Sequence, residues 1–181
     1  MICIRRARPM DASAIAAVHV AAWRSAYAGI LPEDYLAGLS EARLAGFYRH
    51  AVLDRRAGHA VFVAVAGGAE VVGFASGGRA RRAGVAAGEI ETLYLLDDFR
   101  DMGVGRRLMR AMAAHLRAVG CGSAMTWVLH QNPSRFFYRR LGGRPVMREA
   151  IQVAGLPTEQ VAMLWDPIDG LLAATAPARE G

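Results

Sequence analysis

The sequence predicts a single domain of mixed α and β structure, either α/β or α+β. Segments with the alternating pattern of strands and segments with helical spacing of apolar residues succeed one another along the chain. A length of 181 residues suits one domain with one sizeable core. With 54% hydrophobic and 21% charged residues, the composition excludes intrinsic disorder. We find no internal repeat and no linker, so nothing divides the chain.

The first half of the chain is predicted to hold a strand, three helices and a hairpin. Asp11 is a suitable N-cap, and Gly29 and Pro32 interrupt the helical pattern that follows it. The predicted elements are a strand over 2–6, a helix from Asp11 to about Tyr27, a second helical stretch from about Pro32, a third from Glu41 to about His50, and strands over 60–65 and 71–75 joined by Gly67-Gly68.

The second half is predicted to alternate strands with helices. A Gly- and Arg-rich segment over 77–88, predicted to be a loop or a wide hairpin turn, precedes it. The predicted elements are a strand over 89–95, a glycine-rich corner, a long helix from about Gly103 to Val119, a strand over 125–129, a short helix from Pro133 to Leu141, and strands near 146–153 and 160–165. We therefore expect one domain over 1–166, and the Ala-rich segment 167–181 is expected to be a flexible tail.

Charge and cysteine content exclude several classes of protein. All 22 basic residues are arginines, so a phosphate loop that needs lysine and a Schiff-base enzyme are both excluded. The two cysteines are too few for a disulfide framework or a cysteine-rich zinc site. No apolar run approaches the roughly 20 residues of a membrane span, and no signal-peptide core is recognisable, so a cytoplasmic location is expected. The net charge of +6 favours a polyanionic partner, either nucleic acid or a phosphorylated small molecule.

The corner after the fourth predicted strand has the features of a phosphate site. Gly103 and Gly105 stand where a strand turns into a helix, so unpaired N–H groups of the first helical turn would point at one spot. Arg100 and Arg106 can add charge-assisted hydrogen bonds of about 1.5–3 kcal/mol each. Leu108 replaces the third small residue of a dinucleotide fingerprint, which argues against that interpretation. Two interpretations of the corner remain: an ordinary glycine turn and a coenzyme A pyrophosphate site.

The residues around this corner resemble the GNAT superfamily of N-acetyltransferases. The segment Arg100-Asp101-Met102-Gly103-Val104-Gly105 is similar to the family's Arg/Gln-x-x-Gly-x-Gly/Ala signature, and it follows the hydrophobic strand Leu93-Tyr94-Leu95. A second motif, Asn132 followed by Phe137-Tyr138-Arg139-Arg140-Leu141-Gly142, is similar to the family's next strand and helix. Residues 20–32 also resemble a bacterial subgroup. The resemblance covers about residues 2–166.

The resemblance implies a mixed, mostly antiparallel sheet of seven strands, with the fourth and fifth strands splayed apart around acetyl-CoA. It also implies the residues that bind this acetyl donor, without a metal. They are Leu93, Tyr94 and Leu95 on the strand, Arg100, Asp101, Met102, Gly103, Val104, Gly105 and Arg106 at the corner, and Asn132 and Tyr138 beyond it. Asn132 is equally suited to cap the helix that begins near Pro133.

Transfer of an acetyl group to an amine needs a base, because an alkyl amine of pKa about 10.4 is almost wholly protonated at pH 7. Glu89 and Glu91 lie two apart on the fourth strand, so their side chains are predicted to share one face beside the expected thioester. On the family motif, Glu89 falls where some members keep a catalytic glutamate. Both glutamates therefore stay candidates, and a merely solvated carboxylate is the alternative for each.

Tyr138 matches the family tyrosine that donates a hydrogen bond or a proton to the departing thiolate. Either its pKa is lowered by Arg135 or Arg139, or it acts mainly as a hydrogen-bond donor. The alternative is a core aromatic packed beside Phe136 and Phe137.

The acceptor is expected to be a small-molecule or peptide amine, bound near Tyr27, Glu33 and Asp34 if the family's usual helix pair borders it. The resemblance also allows for a homodimer. A non-catalytic acyl-CoA sensor is the main alternative function. A nucleic-acid module using Arg81 and its neighbours is less favoured, since that loop has no interleaved aromatic residues. We expect neither nucleic acid nor a membrane as partner.

Overall fold

The computed structural model describes residues 1–177, which form one sheet with helices on both faces. The strands are β1 (Ile2–Arg6), β2 (Ala60–Ala66), β3 (Glu70–Arg79), β4 (Gly88–Leu95), β5 (Ala124–Leu129), β6 (Arg144–Val153) and β7 (Leu156–Trp165). The helices are α1 (Ala12–Ala26), α2 (Glu33–Ala37), α3 (Glu41–Leu53), α4 (Val104–Ala118), α5 (Ser134–Arg140) and α6 (Asp169–Ala174).

The sheet has seven strands in the order β1-β2-β3-β4-β5-β7-β6. All neighbouring pairs are antiparallel except β4 and β5, which run parallel because α4 crosses over between them. This confirms the predicted mixed, mostly antiparallel sheet. It also places the β4–β5 junction in the middle of the molecule, where both faces of the sheet are covered.

Two apolar layers hold the helices against the sheet. On one face the apolar stripe of α4, which includes Leu108, Met112 and Leu116, packs on Ile90 of β4. On the other face α1 and α3 pack on β2 and β3, with Ile15 and Phe74 fully buried. Burial of a large aliphatic or aromatic side chain contributes about 1.5–3 kcal/mol, so these layers fix the position of β4 between them.

The structure differs from the sequence expectations at two places. β3 continues to Arg79, into the segment expected to be a loop, because Gly77 and Gly78 allow close contacts that a side chain would block: a Cβ on Gly77 would lie 2.4 Å from the Glu89 carbonyl oxygen. The expectation of a flexible tail over 167–181 is wrong for its first part, since α6 forms there and Leu171 is fully buried against the α4 layer. Residues 178–181 of that expected tail lie outside the described residues.

Within the part of the chain that the structure describes, no helix is both long and apolar enough to cross a membrane.

Candidate functional site

The strands β4 and β5 form a fork that opens at the centre of the sheet. They pair only at Gly88 with Ala124 and at Glu89 with Met125, although β4 continues to Leu95. From residue 90 onward, the side of β4 that faces β5 therefore has no strand partner among residues 1–177. Unpaired backbone groups cost about 1–3 kcal/mol each when buried, unless a ligand or water binds them. The predicted splay is thus present, and an extended ligand with amide groups would satisfy these groups.

The glycine corner lies at the open end of this fork. Gly103 has φ +74° and immediately precedes α4, and a Cβ there would meet no atom within 4 Å. Glycine adopts this left-handed backbone without strain, and it leaves open space beside the start of α4. The first backbone bond across this turn runs from the Arg107 N–H to the Gly103 carbonyl, so the preceding N–H groups of α4 are free of helical partners. They form a cradle for an anion, strengthened by the helix dipole.

Gly105, one residue into α4, is small for a different reason. A Cβ at this position would lie 3.3 Å from Cδ1 of Leu95 and 3.4 Å from Cζ of Phe137. The helix terminus is therefore packed tightly between β4 and α5. The two glycines of the motif thus have separate tasks, one conformational and one steric.

The arginines at the corner are not placed alike. The Arg100 guanidinium lies 2.9 Å from Asp97 and remains half exposed. Arg106 instead donates to the carbonyl oxygens of Ala174 and Ala176, at 3.1 and 2.6 Å. This guanidinium therefore ties α4 to the segment containing α6, and a phosphate contact of the Arg106 side chain stays a prediction. Asp101 and Met102 are exposed in the turn between them.

Asn132, just before α5, and Tyr138, within α5, lie near the fork. Burial raises the pKa of Tyr138, opposed only by the neighbouring Thr126 side chain, so the alternative with a lowered pKa is wrong and the alternative of a hydrogen-bond donor stays a prediction. The reason is geometric: the Arg135 guanidinium stacks over Phe136, which is itself half exposed, rather than approaching Tyr138. Tyr138 can therefore act as a neutral hydrogen-bond donor.

Asn132 joins two elements that sequence reasoning treated separately. Its amide nitrogen donates to the hydroxyl of Tyr27 at 3.0 Å, and its Oδ1 accepts from the backbone N–H of Ser134 at 2.9 Å. The N-cap residue of α5 is Pro133, but Asn132 satisfies the N–H of the first helical residue, as a capping side chain does. The same side chain also fixes the C-terminal end of α1, where burial raises the pKa of Tyr27.

The other two candidates near the acceptor, Glu33 and Asp34, are exposed at the start of α2. Glu33 lines an open depression of about 440 Å³ together with Arg24 and residues around Gly29. None of the fork residues lines this depression. Tyr27 is thus joined to Asn132, whereas Glu33 and Asp34 stay predictions as acceptor contacts.

The two candidate bases on β4 have very different surroundings. Glu89 is 3% exposed and accepts three hydrogen bonds from Arg81, from its backbone N–H, Nε and a terminal guanidinium nitrogen. Glu91 is the extra residue of a β-bulge, since Ile90 pairs with Gly77 and Thr92 with Ser76. Its carboxylate lies 3.6 Å from Nε2 of His59. His59 lowers the pKa of Glu91, and burial works against this effect.

A cleft of about 290 Å³ beside Glu89 contains residues that sequence reasoning had assigned to a solvated loop. Arg82 stacks over the ring of Trp127, 5.1 Å from its centroid, and forms a two-bond ion pair with Glu149 at 2.9 and 2.7 Å. Gln160 donates to the same carboxylate. These partners lie far apart in sequence, so no local motif could have found them.

Among the described residues, no group of three or more His, Cys, Asp or Glu side chains is arranged to hold a metal ion.

Comparisons with known proteins agree with this geometry. A model of the acetyltransferase (GNAT) family matches residues 18–143. The uncharacterized N-acetyltransferase YuaI of Bacillus subtilis (strain 168) is 34% identical over 173 residues, which cover 94% of this chain and 96% of that protein.

Solved structures share the fold at lower identity. PaiA N-acetyltransferase from Thermoplasma acidophilum, in complex with coenzyme A, has a TM-score of 0.68 at 18% identity, covering 89% of this chain and 98% of that one. YncA from Salmonella typhimurium, with acetyl-CoA, has a TM-score of 0.68 at 18% identity, covering 92% of this chain and 94% of that one. The ribosomal-protein-alanine N-acetyltransferase from Brucella melitensis has a TM-score of 0.70 at 21% identity, covering 91% of this chain and 99% of that one.

Proposed function

This chain belongs to the GNAT family of acetyltransferases, and from that premise we propose that it moves the acetyl group of acetyl-CoA directly onto a primary amine. The observation that carries the proposal is the fork: β4 and β5 pair at two positions only, and the glycine corner lies at the open end. A ligand with amides along its length and a pyrophosphate at one end matches both features.

In this proposal the backbone holds the donor. The unpaired groups of Leu93, Tyr94 and Leu95 bind the amides of the pantetheine arm, and the free N–H groups at the start of α4 bind the pyrophosphate. Arg100 adds a charge-assisted contact from the turn. The acetyl group then lies in the fork, beside Tyr138 and Tyr27.

Tyr138 acts in the proposal as a hydrogen-bond donor to the sulfur. Because its pKa is raised, full proton transfer to a thiolate of pKa about 8.5 would be uphill. A neutral hydroxyl aimed at the developing negative charge still stabilises the transition state more than the ground state. Its near-complete burial strengthens that interaction by excluding water.

We assign the base role to Glu91 rather than Glu89. Glu89 is covered by Arg81 and its oxygens are already occupied by three hydrogen bonds. Glu91 is more accessible, with about a quarter of its side chain exposed. It stays ionised at neutral pH because its pKa is lowered, so it can attract and orient a cationic amine.

The test is a thiol-release assay with acetyl-CoA and a panel of primary amines of different charge and size. Release of free coenzyme A that depends on one amine class, together with the acetylated product by mass spectrometry, is the expected result. If acetyl-CoA bound in the fork but no amine in the panel released thiol, the acyl-CoA sensor would be the better account. If acetyl-CoA did not bind, both functions would be wrong.

A further inference from the structure

His59 lies directly before β2 in an unusual local setting. Ala57 and Gly58 both have left-handed backbone, with φ of 50° and 67°. Such a conformation is unfavourable for alanine, so the surrounding structure must hold this turn in place. The Gly58 carbonyl oxygen bonds to Nε2 of His115 on α4 at 2.7 Å, which fixes the turn from the far side of the sheet.

Close packing of β3 then fixes the backbone of His59. A Cβ at Gly78 would lie 3.1 Å from the Cα of His59 and 3.2 Å from its nitrogen, so no other residue would fit at 78 without a shift. The result is an imidazole whose Nε2 faces the Glu91 carboxylate at 3.6 Å. Its Nδ1 is buried and has no hydrogen-bond partner in the described residues. A buried unpaired ring nitrogen is costly, and no structural contact accounts for it.

The proposed reaction releases a proton from the ammonium group of the acceptor, and Glu91 and His59 are placed to accept it. A carboxylate with the ordinary pKa of about 4.3 is a poor final acceptor for a proton from an ammonium of pKa about 10.4, because the equilibrium is unfavourable by about a millionfold. An imidazole with the ordinary value of about 6.5 reduces this to about ten thousandfold.

We propose that His59 is the final proton acceptor of the reaction, receiving the proton of the acceptor ammonium through Glu91. The inference rests on the proposed function. The ammonium N–H bond breaks as an O–H bond forms on Glu91, and the proton then passes to Nε2 of His59. The gap of 3.6 Å closes to hydrogen-bond range with a side-chain movement of under about 1 Å.

After this proton transfer, the acetyl group moves to the amine and coenzyme A leaves. The freed amine attacks the thioester carbonyl carbon, the C–S bond breaks, and the sulfur leaves with the electron pair. The second amine proton neutralises that thiolate, and the proton on His59 passes to solvent. After transfer the imidazolium lies beside a restored carboxylate, an arrangement that stabilises it as in other histidine–carboxylate pairs.

Other charged groups around the pair must be considered in any pH experiment. Tyr48 of α3 and Asp54 after α3 face it from one side, and Arg81 from the β3–β4 loop faces it from another. Asp54 opposes ionisation of Glu91 and Arg81 favours it. None of them combines an imidazole's basicity with a direct contact to Glu91, so His59 is the group whose removal should change the acid limb of the pH–rate profile.

The experiment compares His59→Gln with a matched control, His50→Gln, an exposed histidine near the end of α3. At pH 7 we expect kcat/KM to fall about 10- to 100-fold for His59→Gln and less than twofold for the control, with acetyl-CoA affinity unchanged in both. The acid limb of His59→Gln should move to lower pH, because Glu91 is then the only acceptor left.

A rescue experiment separates proton transfer from packing. In His59→Gly, added imidazoles should restore the rate in the order of their basicity. Full activity of His59→Gln, or a rescue that follows size rather than basicity, would overturn the inference while leaving amine acetylation intact. Absence of turnover by the parent with every amine would instead overturn the proposed function, and the inference with it.

Discussion

The two sides of β4 are built by different means. Toward β5, the site consists of main-chain groups: an unpaired strand edge and the free N–H groups at the start of α4. On the face toward α3, it consists of side chains from distant segments, with Glu91 beside His59 and Glu89 under Arg81. A main-chain site tolerates changes of side chain but not of backbone or local charge. A side-chain site responds to single substitutions and to pH. The variants below test this division.

The largest effect is expected from Gly103→Asp. The Cβ position is open, so the carboxylate fits without a clash, but it would occupy the anion cradle and repel the pyrophosphate. We expect acetyl-CoA affinity to fall about 100-fold or more by calorimetry, in a protein that stays folded. Gly103→Asn is the matched control, since asparagine accepts left-handed backbone equally well and carries no charge. Equal affinity of Gly103→Asp and the parent would show that the phosphates bind elsewhere.

Tyr138→Phe should reduce the rate of transfer about 10- to 1,000-fold with little change in acetyl-CoA affinity. The ring keeps its edge contacts with Phe137 and Trp165, whose centroids lie 5.5 and 6.1 Å away, and only the hydroxyl is lost. A hydrogen bond to a developing anion contributes about 1.5–3 kcal/mol, and each 1.36 kcal/mol is a factor of ten. Rate and dissociation constant are measured together. An unchanged rate, with chemistry shown to limit turnover, would return Tyr138 to a packing role.

Substituting the two glutamates of β4 one at a time should give different effects on rate and on thermal stability. We expect Glu91→Gln to reduce kcat about 10- to 100-fold, because its carboxylate does chemistry, with a smaller fall in thermal midpoint at neutral pH than Glu89→Gln. Glu89→Gln should instead lower Tm by about 2–8 °C, since it weakens a network of charged hydrogen bonds with Arg81. A rate loss confined to Glu89→Gln would reverse the assignment.

The contact of Glu91 with His59 also predicts how the stability of the fold changes with pH. Because the folded-state pKa of Glu91 is lowered, its ion contact stabilises the fold above the ordinary carboxyl value of about 4.3. That contribution is lost as the pH falls through the folded-state pKa. Glu91→Gln should therefore flatten the acid side of a Tm-against-pH curve relative to the parent, and an unchanged curve would mean that the contact is absent in solution.

The smallest effect is expected from Arg106→Gln. A direct phosphate contact of this side chain would give a loss of about 10- to 100-fold in acetyl-CoA affinity. Because the guanidinium binds the carbonyl groups of Ala174 and Ala176, we expect a change below threefold and a small decrease in Tm instead. Arg100→Gln provides the contrast, since the Arg100 side chain is half exposed and pairs with Asp97 within the turn rather than with main-chain carbonyl groups. A tenfold loss for Arg106→Gln would restore the sequence-based expectation.

The division of the site also explains what could be predicted from the sequence. Gly103 and Gly105 are recognisable because a left-handed turn and a close helix–strand contact demand glycine locally. The α6 helix was missed because Leu171 is buried only through contact with α4, a long-range effect that composition does not contain. The same holds for His59, which meets Glu91 only when β2, β3 and β4 are paired.

Hydrogen–deuterium exchange with and without acetyl-CoA tests the central claim most directly, namely that the donor is held by main-chain groups of the fork and the corner. We predict slower exchange on binding in two segments only, residues 90–96 of β4 and the turn after it, and residues 103–107 at the start of α4. Residues around His59 and the depression near Arg24 should exchange as before. Unchanged exchange in both predicted segments at saturating acetyl-CoA, or protection centred on that depression, would contradict the account.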